Sequence, residues 1–239
     1  MTTGFDRKNA FLSFYKISKT RLEEKISAYN EAFVKEPHPL LAPFFADFAD
    51  LNEGGKLLRG VFVNLGCALA LSEAAACGEA EGCAGMGETA AGSKAACAGI
   101  DEAAESGKED YAGMSLAAAG SDALALAFEI FQTAVLIHDD IIDHAELRRG
   151  KKTSHRRYAQ SLDARGIYDR AGDTPDSAAL CLGDAGLYAA NLVIAENYRD
   201  NPKLGELISY FDSVVIDTIR GELLDVILPC EIADPSLGT

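Results

Sequence analysis

At 239 residues and 48% hydrophobic content, the chain is long enough to bury one substantial core. Its net charge of −15 excludes generic nucleic-acid binding and disfavours anionic membrane surfaces. The scattered cysteines have no C-x-x-C spacing and no paired histidines nearby. That argues against zinc and, beside an N-terminus without a signal-peptide core, for free thiols in the cytoplasm.

In chain order, Phe11, Phe14, Tyr15, Leu22, Ile26 and Tyr29 recur at helical spacing, and Pro37 and Pro39 end this first predicted helix. Leu40 to Leu51 predicts a short second helix, and Lys56 to Leu71 a third, introduced by Gly54-Gly55. Residues 73–120 are different. Alanine and glycine fill 25 of these 48 positions and nine acids face two lysines, so burial cannot offset the entropy of ordering. We expect a surface insertion, flexible or weakly helical, whose Cys77, Cys83 and Cys97 are too irregularly spaced for a metal or redox cluster.

A fourth helix is predicted from about Asp122 to Leu147, capped by Ser121 or Asp122. Residues 148–176, with Gly150, Gly166, Gly172 and Pro175, read as loop with one short helix, and helices return at about 177–199 and 203–228. Period-2 alternation is almost absent, so no sheet is expected. No stretch reaches the roughly 18 uninterrupted apolar residues of a membrane span. The fold class is all-α, an antiparallel bundle forming a single domain interrupted by the insertion.

The chemistry is concentrated in residues 138–152, which begin His-Asp-Asp-Ile-Ile-Asp and continue to Arg148-Arg149-Gly-Lys-Lys. Asp139 and Asp143 lie one helical turn apart with Asp140 beside them, at the end of an apolar run whose only polar members from Ala123 to Ile137 are Glu129, Gln132 and Thr133. Gln132 precedes Asp139 by seven residues, so a polar stripe runs into the acids, and a helix apolar nearly all round turns such a stripe toward a cavity. Clustered carboxylates call for a cation, and oxygen-only donors suit Mg²⁺. Adjacent arginines supply forks for phosphate oxygens. A solvated acidic helix end with ordinary terminal cations is the competing reading.

Two further clusters fit a diphosphate. Gly54-Gly55-Lys56-Leu-Leu-Arg59 puts two cations one turn apart at the predicted start of a helix, where the dipole would disfavour them without an anion. Late in the chain, Gly221-Glu222-Leu-Leu-Asp225 sets two acids on one face as possible support for the site.

Taken together, G-G-K-x-x-R, H-D-D-I-I-D with R-R-G-K, Leu182-Gly183-Asp184 before a helix, and G-E-x-x-D resemble the trans-polyprenyl diphosphate synthases, over residues 40–72 and 121–228. The resemblance implies an all-α, usually homodimeric enzyme that joins isopentenyl diphosphate head-to-tail onto an allylic diphosphate. It further implies Mg²⁺ on Asp139, Asp140 and Asp143, allylic diphosphate on Arg148, and isopentenyl diphosphate on Lys56, Arg59, Gln132 and Arg149. Bulk just before the first aspartate sets product length in that family. Small Ala134 would leave the tunnel open and Phe131 would partly close it, which suggests products of geranylgeranyl size or longer.

There are departures. Family members commonly carry histidine at Gln132, proline at Gly60 and glutamine at Glu222. A second aspartate-rich motif should follow G-E-x-x-D by some tens of residues and is not found before Thr239. The expectation is a fragment, or a truncated chain with impaired or no catalysis and an exposed apolar face. The alternatives are a non-catalytic partner subunit and a class I terpene cyclase. Against the cyclase stands G-G-K-x-x-R, since a cyclase needs no second diphosphate pocket.

Overall fold

The computed structural model describes residues 7–35, 38–76, 118–167 and 172–232. Seven α-helices account for most of them: α1 (Arg7–Phe33), α2 (Ala42–Asn52), α3 (Leu58–Ala76), α4 (Asp122–Ile142), α5 (Ser154–Ala164), α6 (Thr174–Asn197) and α7 (Leu204–Ile232). The predicted all-α bundle is what the chain forms, with boundaries shifted by a few residues. The expected absence of sheet needs one correction. Leu147–Arg148 (β1) and Lys151–Lys152 (β2) pair antiparallel, Leu147 opposite Lys152 and Arg148 opposite Lys151. Four residues carry too little period-2 pattern to be legible.

The bundle is built around α4. Ala125, Ala127, Ile130, Ala134 and Ile137 are at most 1% exposed and face α6, α3 and α1. Small residues set the α4–α6 spacing. A Cβ on Gly186 would fall 2.9 Å from that of Ala134 and 2.5 Å from the Phe48 ring of α2. On Gly183 it would strike the His138 imidazole. By length and apolarity Ala118–Ile142 and Thr174–Asn197 could cross a membrane, yet they pack chiefly against each other. Core helices of a bundle have the same composition.

Polar ties fix the outer helices. Arg21 of α1 grips Asp122 through Nε (2.9 Å) and Nη2 (3.0 Å), while Asn64 of α3 donates to the same carboxylate at 2.7 Å. Ser121 does not cap α4 with its side chain. Its hydroxyl binds Asn64 Oδ1 and the Ala118 carbonyl instead, in the 3₁₀ turn Ala118–Ser121. That turn and the extension of α3 to Ala76 give the ends of the expected insertion helical structure. Residues 77–117, with Cys77, Cys83 and Cys97, lie outside the described residues.

The last helix is held near its start. Phe211 is 1% exposed and meets Phe128 and Phe131 edge-on, at centroid distances of 5.1 and 6.0 Å. Beyond it Ile216, Ile219, Leu223, Leu224 and Val226 are exposed.

Candidate magnesium and diphosphate site

Helix α4 ends within its acid cluster, after Asp139 and Asp140. His144 adopts φ 52°, its N–H donates to the Ile141 carbonyl at 3.1 Å, and the Ala145 N–H reaches back to the Asp140 carbonyl at 2.9 Å. This pair of bonds is a Schellman closure, with histidine in the left-handed position usually given to glycine. The helix therefore ends at Ile142, five residues short of the predicted Leu147, and Asp143 becomes its C-cap.

The three aspartates are not equivalent. Asp140 is 2% exposed and belongs to Arg148, whose Nε lies 2.8 and 2.9 Å from its two oxygens and whose Nη2 lies 2.8 Å from Oδ1. Burial pushes its carboxyl up and outweighs the opposing pull of Arg148. Arg148 Nη2 stands 3.9 Å from Asp139. Asp139 is half-buried and Asp143 exposed. Glu222 of α7 comes within hydrogen-bonding reach of Asp139. Desolvation, then the charges of Asp139, Asp225 and Asp143, raise its carboxyl above the usual range. Glu222 of the late motif thus faces the acid end of α4.

Oxygen donors of this kind suit Mg²⁺. Among the described residues no three His, Cys, Asp or Glu side chains gather into a closed cage. Mg²⁺ does not need one, since it keeps several waters and is held by one or two carboxylates with substrate phosphates. Of the expected trio, Asp140 is the one hydrogen-bonded to Arg148, while Asp139 and Asp143 are the more accessible.

The basic residues lie on the hairpin and just after the Gly54-Gly55 loop. Arg149 and Gly150 form the hairpin turn with φ of 51° and 79°, the signature of a type I′ turn, with arginine where glycine or asparagine is favoured. This strained placement carries the Arg149 guanidinium to the Gly54-Gly55 loop. There Nη1 donates to the Glu53 carbonyl at 3.3 Å, and a Cβ on Gly55 would lie 3.6 Å from Nη2. Lys56 precedes α3 rather than sitting inside it, because Leu57 at φ 51° separates it from the helix; Arg59 alone of the two cations lies in the first turn. Both are exposed.

A cavity of about 210 Å³ is lined by Leu51, Thr133, Leu136, Asp140, Arg148 and Arg149 among others, and its lining includes neither Asp139, Asp143, Lys56 or Arg59 nor any described residue of α7. The stripe of α4 that faces it is Thr133, Leu136 and Asp140, at i, i+3 and i+7, not the expected Gln132–Asp139 line. Gln132 is half-buried and does not line the cavity. Ala134 and Phe131 do not line this cavity either. Ala134 packs against Gly186 and Phe131 against Phe211, both in the core away from the lining.

Several participants were not singled out from the sequence. Glu129 accepts the Gly60 N–H at 2.8 Å, and its carboxyl is raised by burial despite the nearby charges of Arg59 and Arg149. It is a shared counter-charge for two cations from distant segments. Asp50, Glu53 and Lys151 also line the cavity. Lys151 lay within the quoted R-R-G-K string, whereas nothing in the local pattern marks Asp50.

Comparison with known proteins points to one family. The all trans-polyprenyl-diphosphate synthase PDSS1 of Homo sapiens is 32% identical over 110 residues, 45% of this chain and 21% of that protein. The geranylgeranyl diphosphate synthase of Cereibacter sphaeroides is 52% identical over 44 residues, 18% of this chain and 15% of the relative. The short chain isoprenyl diphosphate synthase of Methanocaldococcus jannaschii is 28% identical over 102 residues, 43% and 26% respectively. The matched stretches thus span about a quarter or less of each relative's length. No solved structure matches. The polyprenyl synthetase family model matches residues 114–236, just over half of the chain and including the acid end of α4, the basic hairpin and Glu222, and the chain belongs to that family.

Proposed function

We propose that this chain carries the diphosphate-binding half of a prenyltransferase of isoprenoid biosynthesis that condenses isopentenyl diphosphate with an allylic diphosphate. One observation carries the reading: Asp140 of α4 and Arg148, Arg149 and Lys151 of the basic hairpin line one cavity, with Asp139 3.9 Å from Arg148. Asp139 and Asp143, with Glu222 and Asp225 in support, would hold Mg²⁺. When bound, the ion supplies neutralisation of the leaving diphosphate.

The chain's own residues do the rest. Asp140 aims Arg148 at the allylic diphosphate. Arg149, Arg59 and Lys56 grip isopentenyl diphosphate, and Glu129 keeps Arg59 and Arg149 from repelling one another. Gln132, one turn from Glu129, donates at the edge of the same group. Leu51 and Leu136 exclude water, which would quench the allylic cation left when diphosphate departs. The isopentenyl double bond then attacks that cation and a proton is lost. Products of geranylgeranyl size or longer are supported by relatives named geranylgeranyl and all trans-polyprenyl diphosphate synthase. A homodimer fits the exposed apolar residues of α7.

The test is calorimetric. Wild-type protein should bind inorganic pyrophosphate with an affinity that rises with magnesium, and Asp139→Ala should lose that magnesium dependence. Unchanged magnesium dependence in the variant refutes the proposal. Incubation with labelled isopentenyl diphosphate and allylic primers then reports turnover.

A further inference from the structure

The basic hairpin has little of its own to hold it. Two strands of two residues are far below the size at which a hairpin is stable alone, and the left-handed Arg149 opposes the turn further. Its attachments are external. Arg148 binds Asp140 of α4, and the Thr153 hydroxyl donates to the Ala145 carbonyl at 2.7 Å. The turn itself is fastened to the end of α2. Lys151 Nζ meets the two Asp50 oxygens at 2.8 and 2.9 Å, and Arg149 Nη1 meets the Glu53 carbonyl at 3.3 Å. Asp50 lies in the last turn of α2 and Glu53 is the extended residue that caps it, so both bonds tie the hairpin to the C-terminal end of that helix.

The bonds are unequal. The Glu53 bond is long and its acceptor neutral, whereas the Asp50 bonds are short and charge-assisted. Asp50 also accepts from Arg157 Nη1 at 3.2 Å, and that guanidinium pairs with Asp47 at 2.5 Å. The hydrogen bonds from Lys151 hold the Asp50 carboxyl below the ordinary carboxylate range. Such partly exposed pairs contribute little to global stability, but they can govern whether a local element opens.

We propose that Asp50 is a positioning residue for diphosphate binding: by holding Lys151 it seats the hairpin on α2 and sets Arg149 against the Gly54-Gly55 loop. This rests on the reading above that Arg149 grips a diphosphate. Asp50 touches no diphosphate itself and acts through Lys151.

Asp50→Asn, Lys151→Gln and the double variant test it in the full chain, by amide hydrogen exchange of residues 147–153 and by calorimetry with magnesium and inorganic pyrophosphate. Each single variant should speed hairpin exchange about tenfold and weaken pyrophosphate binding about fivefold, with a melting temperature within about 2 °C of wild type. The double variant should lose no more hairpin protection and pyrophosphate affinity than the more affected single, because Asp50 acts on the hairpin only through the Lys151 contact that either change removes. Exchange at the wild-type rate in Asp50→Asn, binding within about twofold of wild type, or additive losses in the double variant each overturn the proposal. Wild-type protein that binds no pyrophosphate overturns the diphosphate reading instead, and the exchange rates then decide the seating of the hairpin by themselves.

Discussion

Arg148 closes on Asp140 with three contacts of 2.8 to 2.9 Å, joining the basic hairpin to the acid end of α4 inside a single ion pair. Asp140→Ala would leave a half-buried guanidinium without its carboxylate and untie β1. With Arg148 partly exposed to solvent, a loss of about 1–3 kcal/mol is expected, below the full cost of breaking a buried pair. Asp139→Ala should cost less than about 0.5 kcal/mol, since its side chain is accessible. Urea unfolding of the two variants measures the contrast; equal losses would mean that Asp140 has no special structural place.

Ala134 should behave as a packing residue. With Gly186 against it and Phe48 behind, Ala134→Phe overfills the α4–α6 contact. Destabilisation of about 3 kcal/mol or more is expected, and Gly186→Ala should cost about 1–3 kcal/mol. A folded Ala134→Phe protein with wild-type stability, making shorter products, would restore the cavity-floor role.

Glu129 sets a pH dependence. Its folded carboxyl is raised above the ordinary value by burial, so its favourable contribution is fully present below the unfolded pKa and is lost as pH rises through the folded one. Glu129→Gln keeps an acceptor for the Gly60 N–H and removes the titration. Relative to wild type, the variant should therefore look more stable at about pH 8 than at about pH 4. Denaturation curves across that range check the sign, and parallel profiles would contradict it.

Asp122 ties three helices together, accepting from Arg21 and Asn64 at 3% exposure. Asp122→Ala should cost about 3–5 kcal/mol, and Asp122→Asn less, because the amide oxygen can still accept. Thermal unfolding gives the order, and a reversed order would remove the charge from the explanation.

Much of this was legible from the chain alone. The periodicity of α1, the apolar run of α4 and the proline and glycine breaks depend on neighbours a few residues away, which a sequence displays directly. The acids at 139–143, the cations at 148–149 and the late Glu222–Asp225 pair were legible because charge at an unusual place needs a partner wherever the chain folds. The hairpin was not, since two-residue strands leave no period. Lys56 was set one step too far into α3, because left-handed Leu57 is a backbone state that leucine does not announce.

Residue type and spacing by themselves determined which helices form, and that an acid cluster at the end of α4 is followed closely by a pair of arginines. Which side of α4 meets the cavity was decided only in three dimensions. A 3.6-residue repeat gives relative directions around a helix but no absolute one, and the close contact of Gly186 with Ala134 turns that helix so that Thr133, Leu136 and Asp140 look into the pocket. The pairing of Arg148 with Asp140, and of Lys151 with Asp50 across 101 residues, likewise exists only once separate segments are packed together.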